Sequence, residues 1–294
     1  MTDIGLAAPG AVATDLSAPV AAALAQPGPG RERIVDAAGY AWRALEWGDA
    51  AVPPVLLIHG VTSNAETFWR VGPAVAAAGR HVLAVDLPGH GRTGGWRGRH
   101  RFAETAADLV EFATVAAVDR PGLAVVGHSW GGMVVATLPA AGLRPDRLIL
   151  LDPPVLGLAD LEAMTRDPVE LPYPSLDAAL AAVAAANPAW SEGDLRAKAL
   201  GLTQFAAEAV LAVLLENGDW DGGLAALADP AAAGIPTWLI RGVPEAGGLM
   251  PDAVIPAFEA RLGRDHVVTI DGAPHSPQRT HPEATVQAIL RAIS

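Results

Sequence analysis

The 294-residue chain has no cysteine, which excludes a disulfide framework and a thiolate metal site and leaves the redox compartment open. No run approaches the ~18 consecutive apolar residues of a transmembrane helix. Cations are scarce, with 20 Lys and Arg against 32 Asp and Glu, for a formal net charge of −12. That balance repels nucleic acid and anionic membrane surfaces, so neither is expected as a partner. No His-Glu-x-x-His or similar spacing exists, and no metal is expected. Charged residues reach only 18 %, so the surface is expected to be poor in charge, with Ala-rich helices. Apolar residues make up 51 %, enough for a large core, and the length suits one large α/β domain or one with an insertion.

Residues 1–30 are rich in Ala, Pro and Gly and carry no Lys or Arg. A secretory signal opens on basic residues, so the reading is a mobile arm or a surface helix, and a cytoplasmic location by default. From Arg31 the pattern is orderly. Arg31–Asp36 and Tyr40–Trp47 alternate as two strands around Ala38-Gly39. Val55–Ile58, His81–Val85, Leu123–Val126 and Leu148–Leu151 are short apolar runs of the kind buried on both faces of a parallel sheet. Helical patterns at Asn64–Ala78, Glu104–Val118 and Trp130–Ala141 alternate with them. After Asp152 about 80 residues show no strand-like run but helical stretches at Leu176–Ala186, Glu192–Leu200 and Thr203–Leu215, separated by Pro168, Pro172, Pro174 and Pro188. The rhythm resumes with Thr237–Ile240, a helix Pro251–Leu262, a strand His266–Ile270 and a helix Pro282–Ile293. The expectation is a mostly parallel, eight-stranded α/β sheet with helices on both faces. Its core spans 31–152 and 234–294, with a helical cap over 153–233 between the sixth and seventh strands.

The strongest chemical signal is Gly127-His128-Ser129-Trp130-Gly131-Gly132, set between a buried strand and a helix. G-x-S-x-G in that context places a serine on a sharp strand-to-helix turn, with the helix N-terminus behind it to favour negative charge. A serine hydroxyl is a weak nucleophile without a base. His275 is chosen from eight histidines because Asp271-Gly272-Ala273-Pro274-His275 follows the last strand. His281 reads as a surface residue at a helix start.

With these motifs and His59-Gly60 and Asp86-Leu87-Pro88-Gly89-His90-Gly91 in the same order, the chain from Arg31 to Ser294 resembles the α/β-hydrolase superfamily. The resemblance implies an oxyanion hole made by the backbone N–H groups of Val61 and Trp130, with His59 ordering its loop. It implies an acid after either of two strands. These are Asp152 in Leu151-Asp152-Pro153-Pro154, or Glu245 in Arg241-Gly242-Val243-Pro244-Glu245, where many relatives have Asp at the position of Val243. Either would hold the imidazole tautomer. A serine in place of Asp at the elbow argues against an epoxide hydrolase or haloalkane dehalogenase.

The expected reaction is cleavage of a small or medium apolar carboxylic ester or lactone through an acyl-enzyme, with no cofactor, in a monomer or homodimer. A carbon–carbon bond hydrolase, a perhydrolase and an acyltransferase use the same residues, and a non-catalytic binding module is the reading from another class. His59, Gly60, His128, Trp190 and Trp220 are expected around the substrate pocket, with Trp69 and above all Trp130 as further wall candidates. Gly89–Gly94 matches G-x-G-x-x-G, but no helix pattern follows, so no nucleotide site is read. The basic stretch 95–101 reads as solvated loop. Asn217–Gly222 mimics the start of a calcium loop but has Ala228 where a Glu is needed.

Overall fold

The computed structural model describes residues 16–95, 97, 100–166 and 170–294. The first half of the expected arm, Trp96, Gly98 and Arg99 of the basic stretch, and the breaker Pro168 lie outside the described residues. The strands are β1 (Arg31–Ala37), β2 (Tyr40–Trp47), β3 (Pro54–Ile58), β4 (His81–Val85), β5 (Ala124–His128), β6 (Arg147–Leu151), β7 (Val155–Leu156), β8 (Trp220–Asp221), β9 (Thr237–Arg241) and β10 (Val267–Thr269). The helices are α1 (Ala18–Ala25), α2 (Val71–Ala77), α3 (Phe102–Val115), α4 (Trp130–Ala141), α5 (Leu158–Arg166), α6 (Leu176–Ala186), α7 (Glu192–Leu202), α8 (Ala207–Leu215), α9 (Leu224–Leu227), α10 (Ile255–Leu262), α11 (Pro277–Thr280) and α12 (Pro282–Ile293).

Eight strands form one sheet in the order β1-β2-β4-β3-β5-β6-β9-β10, antiparallel across β1, β2 and β4 and parallel from β4 to β10. The apolar runs explain the burial on both faces. Along β3, Leu56 and Ile58 join a core with Trp42, Leu109, Phe112 and Val134. Val55 and Leu57 face the other way, into a core with Val71, Val75, Val286 and Ile289. Successive side chains of a strand point to opposite faces, so a continuous apolar run feeds two layers at once.

Several boundaries differ from the sequence pattern. Asn64–Ala78 is not one helix but a 3-10 turn, Ala65–Phe68, followed by α2. Pro73 lacks an N–H to donate one turn back and is tolerated only in the first turn of a helix, so the helix restarts at Val71. In the expected arm, α1 docks with Val20 and Leu24 buried beside Val75 and Ile293. The stretch after Asp152 does hold strands, since β7 and β8 pair as a two-residue ribbon too short to show alternation. It also holds α5, which the pattern missed because Leu161 is its one fully buried residue. α5 to α8 lie between β6 and β9, and α6 and α7 close a small core of their own around Ala179, Val183, Ala199 and Leu202. No described helix is long and apolar enough to cross a membrane.

Candidate active site

In a parallel sheet the loops leaving the C-terminal strand ends gather along one edge, the usual place for ligands in open α/β sheets. Here they bring together Gly60 and Val61 after β3, Ser129 after β5, Asp152 after β6, Gly242 after β9 and His275 after β10. The turn from β5 into α4 passes through Ser129 at φ 56°, ψ −126°. Two glycines make this turn possible. A Cβ on Gly127 would lie 2.2 Å from Gly131 O, and one on Gly131 would lie 2.6 Å from the carbonyl oxygens of Ile58 and His59. A non-glycine residue at positive φ is strained, and the packing around the turn maintains it.

Ser129 Oγ lies 2.9 Å from His275 Nε2, and His275 Nδ1 lies 2.7 Å from Asp152 Oδ2. Asp152 is fully buried, and its carboxylate also accepts the N–H of Gly242 at 2.9 Å and of Leu249 at 3.1 Å. Those donors keep it aimed, and they leave Nδ1–H of His275 as the donor on the third side. Of the two acids considered, the chain from serine to histidine ends on Asp152. Glu245 is exposed on the 3-10 turn Pro244–Ala246. The Gly242–Leu249 loop instead donates its backbone to Asp152. Gly242 is required there, since a Cβ would sit 2.4 Å from Ala273 O.

His59 is buried, with Nε2 accepting Leu87 N–H at 3.0 Å and Nδ1 donating to Gly60 O at 2.7 Å. Burial lowers its pKa to about 4, so it is neutral and ties the Gly60 loop to the end of β4. Gly60 lies so close to the serine that a Cβ would be 2.7 Å from Ser129 Cβ. His128 Nε2 donates to His275 O at 2.8 Å, and the two rings lie 4.9 Å apart. Burial, with the neighbouring His275 next, puts the His128 pKa well below its ordinary value.

A cavity of about 480 Å³ opens onto Ser129 and His275. Of the residues placed around a pocket from the sequence, Gly60, His128, Trp190 and Trp220 line this cavity, and Val61 does too. His59 does not, because both of its ring nitrogens are turned into the loop it braces. Trp130 is also corrected as a wall residue. Its backbone follows the serine, but its side chain is fully buried against the rings of His90 and His100. Trp69 lies outside the lining and donates Nε1 to Asp194 at 3.0 Å. Sequence reasoning missed Thr62, Ser63, Glu170, Lys198 and Arg279, which form the polar wall of the cavity. They come from four separate segments and no local spacing links them.

The discounted motifs serve structure. Gly91 wraps its loop around Asp86, whose Cγ would lie 2.2 Å from an added Cβ. In the calcium-like stretch, Asp219 accepts Leu158 N–H and Asp221 accepts Gly223 and Ala225 N–H. Among the described residues no cluster of three metal-binding side chains exists.

Comparison with known proteins agrees with the fold. The family model described as alpha/beta hydrolase fold matches residues 53–282. Esterase Rv0045c of Mycobacterium tuberculosis is 31 % identical over 274 residues, covering 84 % of each chain. Its crystal structure covers 95 % of this chain and 97 % of its own, at a TM-score of 0.68 and 26 % identity. Lipase LipV of the same organism is 30 % identical over 264 residues, 84 % of this chain and 95 % of that one. Epoxide hydrolase A, also from that organism, is 35 % identical over 119 residues, and the match spans only 36 % of its length.

Proposed function

The chain belongs to the alpha/beta hydrolase fold family, and from that premise we propose that it is a serine hydrolase that cleaves carboxylic esters or lactones through an acyl-enzyme. The observation that carries this reading is the continuous hydrogen-bonded chain from Ser129 through His275 to Asp152. His275 takes the Ser129 proton as the serine oxygen attacks the ester carbonyl. The backbone N–H groups of Val61 and Trp130 hold the developing oxyanion, a contribution of about 3 kcal/mol per donor in comparable sites. His275 then protonates the leaving alkoxide and activates the water that hydrolyses the acyl-enzyme, while Asp152 stabilises the imidazolium. The apolar wall, which includes Phe205, Val210, Leu214 and Trp220, suits a small or medium apolar acyl or alcohol group. The helices over 153–233 act as the cap that sets specificity. The full-length relatives named an esterase and a lipase support ester chemistry, and Ser129 stands where an epoxide hydrolase of this superfamily has Asp.

The test is labelling with a fluorophosphonate probe and peptide mass mapping, with p-nitrophenyl ester turnover alongside. Labelling confined to Ser129, lost in Ser129→Ala together with turnover, is the expected result. A folded protein that neither labels nor shows burst acylation would instead be a binding module.

A further inference from the structure

The cavity beside Ser129 has one polar wall, and that wall is cationic. Lys198 on α7 is the only lysine in the chain, and it is 9 % exposed and lines the cavity. Its Nζ donates to Thr62 Oγ1 at 3.1 Å and Thr62 O at 3.4 Å, and pairs with Glu170 at 2.5 Å. Arg279 on α11 is 6 % exposed and lines the same cavity. Its guanidinium donates to neutral hydroxyls, to Thr67 Oγ1 at 3.0 and 3.2 Å and to Ser63 Oγ at 3.5 Å, and it lies 5.0 Å from the Trp190 ring.

Among the described residues no carboxylate forms an ion pair with Arg279. The nearby Asp194 is engaged by Arg70, by Trp69 Nε1 and by Ser191 Oγ. Burial lowers Arg279 only to about 10, so it remains a cation at neutral pH. Burial favours protonation of Glu170, but Lys198, Thr62 and Arg279 outweigh it and hold the carboxyl below its ordinary value. Two cations against one carboxylate leave this wall net positive in a chain whose net charge is −12. Burying a cation without a partner is costly, and a ligand that supplies the counter-charge removes the cost.

The wall is also tied to the reacting loops. Thr62 and Ser63 directly follow Val61, Arg279 follows His275 by one turn, and α7 meets Thr62 so closely that a Cβ on Gly201 would lie 3.0 Å from its carbonyl oxygen.

We propose that this wall is a carboxylate subsite, and that the substrate is an ester whose apolar body lies against the cap while its free carboxylate is bound by Arg279 and Lys198. The inference rests on the ester-cleaving reading and names the charge its substrate carries. Glu170, on the loop before α6, competes for the same two cations.

The test reads binding without turnover. Ser129→Ala protein is titrated by calorimetry with monomethyl adipate and with uncharged dimethyl adipate. The half-ester should bind about tenfold or more tightly than the diester, with a preference that shrinks as salt is raised. Adding Arg279→Gln should bring the two within roughly twofold, since the bidentate partner is gone. Adding Glu170→Gln should tighten half-ester binding by severalfold because it removes a like charge. Equal binding of the two esters, or weaker half-ester binding in Glu170→Gln, overturns the subsite. Fluorophosphonate labelling of wild type is independent of this outcome, so a failed subsite and a failed hydrolase reading are told apart.

Discussion

The Asp152 carboxylate receives His275 Nδ1 at 2.7 Å from a backbone held at φ 44°, one residue past the end of β6. The geometry sets an order among the acids. Asp152→Asn should lower kcat by about 10³ to 10⁴, because the amide favours the wrong imidazole tautomer. Glu245→Ala, a change on an exposed turn, should stay within about twofold of wild type. Steady-state ester kinetics on the two variants check this. The reverse order would remove Asp152 from its assigned role.

Gly60 is a steric gate on the same chemistry. An alanine there would place Cβ 2.7 Å from Ser129 Cβ, 3.2 Å from Oγ and 3.3 Å from His128 O. The serine turn is anchored on both sides, so the loop carrying Val61 has to move instead. Gly60→Ala is expected to cost about 10² or more in kcat/KM, the scale of one lost oxyanion donor or a displacement near 1 Å. A variant that folds, labels at the wild-type rate and turns over normally would show that this loop takes no part.

Asp86 is a structural counterpart. It is fully buried at the end of β4 and accepts Ala65 N–H at 2.7 Å and Arg92 N–H at 2.8 Å, with Arg43 Nη1 at 3.5 Å. Asp86→Ala leaves two N–H donors unpaired and the buried Arg43 with Glu32 and Glu66 alone. A loss of about 3 kcal/mol is expected in urea unfolding. A loss under ~1 kcal/mol would mean the loop repacks without it.

Acid stability should follow four buried histidines. Burial lowers His59 and His100 to about 4, and His90 and His128 fall well below the ordinary value. An unfolded histidine takes its proton near ~6.5, so between there and ~4 the unfolded state binds more protons and the fold loses stability as pH falls. Asp86 works the other way, because burial raises its pKa and protonation relieves the fold. The histidines outnumber it, so Tm should drop steadily from pH 6.5 to 4. A Tm that is flat over that window would mean these rings are protonated in the native state.

Much of this arrangement was legible in the residues. Trp130–Ala141 and Pro282–Ile293 have the bounds the pattern indicated, one closed by Gly142 at φ 107° and the other opened by a proline at its first position. Local rules govern those ends. Asn64–Ala78 went wrong because an apolar period carries no warning of where a proline forces a restart. Trp130 went wrong because position next to a nucleophile places the peptide, while the side chain follows the helix into the core.

By itself, the sequence determined the alternation of strands and helices, the sharp turn at Ser129 and the histidine after the last strand, since periodicity and turn chemistry act over a few residues. Only the tertiary structure brought Asp152 rather than Glu245 to His275, and only it assembled Lys198, Glu170 and Arg279 on one wall. Those relationships join segments up to 123 residues apart, as between Asp152 and His275, and depend on which strand ends the sheet order sets side by side.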